Sequence, residues 1–185
     1  MESPFVESVS LATVEILGEK TAFQIFKEMG VFSLAASDCS RFSLEKLGRL
    51  LAQRYDSQIA LGLMIRVGRA SLLFLRRFIG EIAVLGKIDN RLKPIDQRFP
   101  ESLQALAGQV SKGFSTQVEM GIAQRLQYDW QLQDVGLEYS PYFYFGLLEE
   151  FCDWLDARRD YRIAYAPSDN PDVNACLSIA IVEKD

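Results

Sequence analysis

Histidine is absent from this sequence of 185 residues. Histidine is the commonest general base near neutral pH and the commonest metal ligand in proteins. Its absence excludes histidine-ligated haem, most zinc enzymes and the usual histidine-containing hydrolytic triads. Sites built from carboxylates or from cysteine alone remain compatible with the composition.

Cysteine is scarce as well, because the chain has three, at Cys39, Cys152 and Cys176. Their number is odd, their spacing is wide and no CxxC pair occurs, so neither a secreted disulfide framework nor a zinc site is indicated. The N-terminal segment MESPFVESV has acidic residues where a signal peptide has basic ones. These features predict a cytoplasmic protein with reduced thiols and without a bound metal.

The chain also lacks an excess of positive charge and the common catalytic motifs. Its net charge of −5 argues against general binding of nucleic acid, which requires a basic face. It contains no GxGxxG, no P-loop and no GxSxG motif. The sequence therefore predicts a protein that is not an enzyme and that carries no cofactor.

The most apolar segment, residues 57–86, is interrupted by charge. Its arginines are Arg66, Arg69, Arg76 and Arg77. A membrane-spanning helix has about 20 largely uncharged residues, and arginine is costly inside a bilayer. The segment therefore predicts no membrane span but one long core helix, broken near Gly68 or Gly80.

The hydrophobic period changes from helical to extended along the chain. Spacings of three and four residues predict helices up to about Lys112, whereas alternation predicts strands later, in 117–133, 161–167 and 175–183. A polar segment, residues 87–102, is interpreted as a surface linker whose Pro100 opens the next helix.

Together these patterns predict one domain over residues 1–185, of the α+β (mixed α/β) class. An N-terminal helical layer is expected to pack on a twisted antiparallel sheet of about four strands. The C-terminal half has the order β-β-α-β-β, and the short loops within each strand pair favour antiparallel pairing.

Residues 140–162, SPYFYFGLLEEFCDWLDARRDYR, contain four aromatic residues in a row. Helical spacing groups Phe143, Leu147 and Phe151 on one face, so we predict a helix over 141–157, with Ser140 as its cap, packed on the sheet. Such an aromatic stripe is typical of core packing. The alternative is a dedicated ligand site.

The segment PYFYFGLLEEFCDWL, followed by YRIAYAP, a turn and ACLSIAI, resembles the C-terminal half of the 4-vinyl reductase (hydrocarbon-binding) domain. The helical segments EILGEKTAFQIFKEMG and ALGLMIRVGRA are similar too. The wider superfamily includes the TRAPP trafficking subunits and the haem nitric-oxide sensor domain. The resemblance implies an apolar cavity between helices and sheet, binding of small hydrophobic molecules or acyl chains, and homodimerisation through helices.

The cysteines and the missing histidine decide how far the resemblance can be carried over to this chain. Of the cysteines that such domains carry near the last hairpin, only Cys176 matches, so a metal role is not expected. The haem branch requires a ligating histidine, and this chain has none. In TRAPP subunits a cysteine before a core helix can be acylated, and Cys39 occupies a comparable place. The alternative for Cys39 is a thiol without a role.

Our main hypothesis is non-enzymatic binding or sensing of a lipid, an acyl chain or a tetrapyrrole-like molecule. The expected pocket residues are Leu63, Val67, Phe74, Phe143, Leu147 and Phe151. Arg66 and Arg69, three residues apart on one helix, either form salt bridges to a neighbouring helix or anchor a ligand carboxylate. The alternative function is a dimeric adaptor that docks onto a protein partner. A role in tetrapyrrole metabolism rests on the family name alone.

Overall fold

The computed structural model describes residues 4–32, 42–114, 116–133, 138–166 and 173–182. These residues form helices followed by a four-stranded antiparallel sheet, with one further helix inserted between the second and third strands. The predicted α+β class and the order β-β-α-β-β are therefore confirmed.

The first three helices begin and end where the local sequence signals predict. They are α1 (Pro4–Leu17), α2 (Glu19–Met29) and α3 (Leu44–Arg54). Gly30 ends α2 in the left-handed conformation, with φ of 85°, which glycine adopts without steric cost. Ser43 caps α3, because its hydroxyl oxygen accepts a hydrogen bond from the Lys46 amide at 3.3 Å.

The apolar segment forms one long helix, α4 (Ser57–Phe78), of 22 residues. Asp56 caps its start by accepting from the Ile59 amide at 2.8 Å. The helix continues through Gly68 and ends at Ile79, which has an extended backbone. The expected break near Gly80 is thus confirmed, and a break at Gly68 is not found.

The predicted surface linker over residues 87–102 is wrong. Short helical segments follow α4, and a long helix already begins inside the segment. These elements are α5 (Gly80–Ala83), a 3₁₀ turn (Val84–Gly86), α6 (Ile88–Arg91) and α7 (Ile95–Gly113). Pro100 lies inside α7 rather than in its first turn. The helix persists because buried residues on both sides of the proline, including Phe99 and Leu103, anchor it to the core.

The sheet places β1 and β3 at its edges. The strands are β1 (Gln117–Gln124), β2 (Gln127–Gln133), β3 (Asp160–Ala166) and β4 (Ala175–Val182), in the spatial order β1-β2-β4-β3. One row of paired residues crosses the whole sheet, through Met120, Trp130, Leu177 and Tyr165. Trp130 and Leu177 are fully buried in this row, whereas Tyr165 at the edge is 46% exposed.

The aromatic helix, α8 (Ser140–Leu155), lies between α4 and the sheet. On its sheet side, the Tyr144 ring packs edge-on against Trp130, with ring centroids 6.5 Å apart. At its start, the Glu45 carboxylate of α3 accepts from the Tyr139 and Ser140 amides, at 3.1 and 3.2 Å. The predicted Ser140 cap is therefore wrong, since a carboxylate from another helix supplies the cap.

Two glycines bring the backbones of α4 and α8 into direct contact. A Cβ atom at Gly68 would lie 2.1 Å from the Phe143 carbonyl oxygen, and one at Gly146 would lie 2.1 Å from the Ile65 carbonyl oxygen. Each helix thus contributes one glycine to the crossing. No side chain fits between the two backbones at these points.

By length and composition, α4 is one helix in the described part of the chain that could cross a membrane. In the fold, its buried residues pack against α1, α3 and α8. Those contacts account for the apolar residues on its buried side, whereas Ile59 and Leu73 of the same helix are exposed.

We expect Gly68→Ala to destabilise the protein by at least about 1–3 kcal/mol, because the new methyl group meets backbone that has no rotamer to change. Gly62→Ala is the matched control on the same helix, since a Cβ there meets nothing within 4 Å. Alanine at that exposed position should stabilise the helix by up to about 1 kcal/mol. Urea denaturation of both variants measures the difference, and equal effects would contradict the close approach.

Candidate functional site

A small cavity opens where α4, the start of α8 and the edge strand β3 meet. Its volume is about 140 Å³, and all its exposed wall is apolar. We call it the aromatic cavity, and it is lined by Ile65, Pro141, Tyr142, Phe145 and Tyr165. Three separate elements of the fold therefore contribute to one apolar site.

The aromatic run supplies this cavity and the core at the same time. Phe143 and Tyr144 are fully buried, whereas Tyr142 and Phe145 are half-buried and line the cavity. Residues three apart on a helix share a face, so Tyr142 and Phe145 stand together. Core packing thus accounts for Phe143 and Tyr144, whereas Tyr142 and Phe145 line a cavity, and a ligand site in the run stays a prediction.

The six expected pocket residues lie at the contact between α4 and α8. Val67, Phe143, Leu147 and Phe151 are fully buried there, and Leu63 and Phe74 are partly buried against the same core. The aromatic cavity is lined by other residues, although Ile65 and Phe145 are close neighbours in sequence. The sequence signal that could have identified Tyr142 and Phe145 as cavity residues is the alternation of core and cavity positions along α8. No sequence signal identified Tyr165, because it comes from a strand that is distant in the chain.

Arg66 and Arg69 do not line the aromatic cavity, although Arg69 lies one helical turn from Ile65, which does. With Arg76 they line an open groove of about 430 Å³, which we call the arginine groove. Its other lining residues are Ile16, Ala70, Leu72, Leu73 and Glu150. Arg69 forms an ion pair with Glu149 of α8 at 2.6 Å, which matches the salt-bridge alternative. Among the described residues, Arg66 has no hydrogen-bond or ion-pair partner.

Burial suppresses the reactivity of the cysteines that the structure describes. Cys152 is fully buried in α8, and burial, followed by the nearby carboxylates of Asp153 and Glu149, raises the pKa of its thiol. Burial also raises the pKa of the Cys176 thiol, with a smaller effect from Asp129. Both side chains are therefore neutral thiols near pH 7. Cys39 lies outside the described residues, and its acylation stays a prediction.

A buried ion pair holds the end of α8. The Arg98 guanidinium donates to the Asp156 carboxylate at 2.9 Å, and the two side chains are 3% and 5% exposed. Burial raises the pKa of Asp156, but hydrogen bonds from Arg158 and Arg98 outweigh it, so the pKa lies below its usual 3.8. Arg98 and Arg158 thus both pair with Asp156 at the C-terminal end of α8, where positive charge is favourable.

No family model matches the chain, and neither does any curated protein. Solved structures do match over almost the whole length. One is an oxygen-binding H-NOX domain related to soluble guanylate cyclases, with a TM-score of 0.61 at 8% identity, covering 99% of this chain and 96% of the other. Another is a mutant H-NOX domain from T. Tengcongensis, with a TM-score of 0.61 at 12% identity, covering 99% and 98%.

These matches overturn the resemblance to the 4-vinyl reductase domain and to TRAPP subunits, which is wrong. The fold is that of H-NOX domains, a branch that lack of histidine had set aside on chemical grounds. The soft sequence motifs, a glycine in a helix and a cysteine at a strand start, did not distinguish related folds.

The residues of this chain do not fit a haem held in the usual way. Haem iron takes histidine, cysteine thiolate, methionine or tyrosine as axial ligands. Histidine is absent, and burial raises the pKa values of Cys152 and Tyr144, which keeps both protonated. The backbone contact at Gly68 and Gly146, with fully buried aromatic residues around it, occupies the space between α4 and α8. In the described part of the chain, no three metal-ligating side chains cluster.

We therefore expect the purified protein to form no one-to-one complex with added hemin. The absorption spectrum during a hemin titration should lack a saturating, shifted Soret band. A stoichiometric complex with a thiolate, thioether or phenolate spectrum would contradict this expectation, and Cys152→Ser and Tyr144→Phe would then test two candidate ligands.

We also expect Asp156→Asn to destabilise the protein by about 3–5 kcal/mol, because Arg98 would remain buried without a counter-charge. Since the pKa of Asp156 is lower in the folded protein, its contribution is present above the usual pKa and is lost as the pH falls through the folded value. Asp153→Asn, on the exposed face of the same helix, is the control. Denaturation curves between neutral and strongly acidic pH should converge for Asp156→Asn and the parent protein only at low pH.

Proposed function

We propose that this chain is a non-enzymatic domain that binds a small apolar molecule in the aromatic cavity and acts as a sensor of it. The carrying observation is a cavity of about 140 Å³ whose exposed wall is entirely apolar. A buried apolar cavity of about 150 Å³ in another protein stays dry and binds benzene or xenon. A site of this size therefore fits one aromatic ring or a short hydrocarbon chain.

The size of the cavity favours such a molecule over the larger ligands considered from the sequence. Pockets for drug-sized ligands have volumes of about 300–1,000 Å³. A tetrapyrrole exceeds the aromatic cavity, and an acyl chain would leave most of its length outside. The arginines considered as an anchor, Arg66 and Arg69, line the arginine groove instead. The proposed ligand consequently needs no carboxylate.

The fold supports a sensing role. The similar solved structures include an oxygen-binding domain and one in which protein-induced porphyrin distortion modulates the haem redox potential. One of those proteins binds oxygen and another contains haem, whereas the residues of this chain favour direct binding of a small molecule. An occupant of the aromatic cavity would touch α4, α8 and β3 together, next to the contact between Ile65 and Gly146.

Non-enzymatic binding is supported by the chemistry of the site. The ring and aliphatic side chains of the aromatic cavity offer no charged acid or base at its exposed wall. The proposal includes a cytoplasmic location, and it is supported by Cys152 and Cys176, which form no disulfide bond. Homodimerisation was expected only from the family resemblance and stays a prediction.

We expect fluorobenzene to bind the parent protein saturably, as measured by ¹⁹F NMR. Ile65→Phe should weaken binding at least about tenfold, because the larger ring occupies the cavity that Ile65 lines. Ile59→Phe is the matched control, since Ile59 is exposed on the same helix and does not line the cavity. Equal affinities for the two variants would refute the site, and so would absence of saturable binding to the parent.

A further inference from the structure

The arginine groove is a basic strip on an acidic protein. Helix α4 carries four arginines and no acidic residue, whereas the whole chain has a net charge of −5. Arg66, Arg69 and Arg76 line the groove, at intervals of three and seven residues. At a rise of about 1.5 Å per residue, the ends of the strip are about 15 Å apart along the helix.

Positive charge remains in the groove after local pairing. Arg69 is paired with Glu149, and Glu150 lies on the rim. The Arg76 guanidinium lies over the Trp154 ring, 4.5 Å from its centroid, which fixes its position without neutralising its charge. Arg66 is exposed and has no partner among the described residues. The three guanidinium groups thus face two carboxylates.

The same groove presents apolar surface. Leu73 is 58% exposed and lies between Arg69 and Arg76 in sequence. Ile16, Ala70 and Leu72 complete the apolar part of the wall. An exposed leucine flanked by arginines suits a partner with both apolar and acidic groups.

We propose that the arginine groove is a docking surface for an acidic amphipathic helix of a protein partner. The acidic side chains would pair with Arg66 and its neighbours, and an apolar side chain would cover Leu73. The length of the strip matches about ten residues of a helix. The proposal does not depend on the aromatic cavity, because the two sites have no lining residue in common.

Two other occupants fit the charges less well. A second copy docked symmetrically through α4 would oppose arginine to arginine, which is repulsive. Nucleic acid would approach a protein of net charge −5, and phosphates would leave Leu73 uncovered.

The test uses a fluorescein-labelled synthetic peptide with leucine at helical intervals of three and four and glutamate elsewhere, followed by fluorescence anisotropy. Arg66→Glu and Leu73→Gln should each weaken its binding at least about tenfold. Arg125→Glu is the control. It makes the same change of charge at an exposed arginine, but Arg125 lies outside the groove. Melting curves should be unchanged, since Arg66 and Leu73 are exposed.

Four results would overturn the proposal. Equal weakening by Arg66→Glu and Arg125→Glu would indicate general charge attraction, and unchanged binding by Leu73→Gln would remove the apolar part. A DNA duplex that competes better than the peptide would point to nucleic acid. Self-association in sedimentation that Arg66→Glu abolishes would point to a second copy. The proposal is supported if Arg66→Glu and Leu73→Gln both lose peptide binding, Arg125→Glu keeps it, and none of the four results occurs.

Discussion

The structure depends on the close crossing of α4 and α8. Gly68 and Gly146 remove the side chains that would otherwise separate two backbones, and each glycine faces a carbonyl oxygen of the other helix. Side chains around the crossing, including Val67 and Leu147, are fully buried as a result. A ligand pocket at this contact would require the helices to separate. Free volume appears instead at the start of α8, where Pro141 and Tyr142 meet the edge strand.

This crossing also organises the surface. Helix α4 is held against α8 on one side, so that neighbouring residues face different sites: Ile65 lines the aromatic cavity and Arg66 lines the arginine groove. Helix α4 thereby contributes residues to both the proposed ligand site and the proposed docking surface. At the far end of α8, the buried pair of Arg98 and Asp156 fixes the helix to α7. Both ends of α8 are held by charged groups from other helices, Glu45 and Arg98.

A shared fold with different site chemistry is a familiar situation in proteins, because function belongs to the site rather than to the fold. Here the solved H-NOX domains have a similar fold at identities of 8% and 12%. This chain has no histidine, which is one of the residues that hold haem iron in proteins. In this chain, aromatic and aliphatic side chains fill the space between the helices and the sheet.

Local patterns in the sequence determined most element types, the antiparallel pairing of the strands and the absence of histidine chemistry, because each depends on composition or on residues close together in the chain. They wrongly predicted a surface linker over residues 87–102. A helix forms there because the burial of Phe99 against the sheet outweighs the local effect of Pro100. Only the tertiary structure decided which apolar residues of α4 and α8 fill the core and which line a cavity. That choice depends on packing across the glycine crossing, where Gly68 and Gly146 are 78 positions apart in the sequence. Periodicity groups residues on a helix face, but the volume left between two faces is set by how closely their backbones approach.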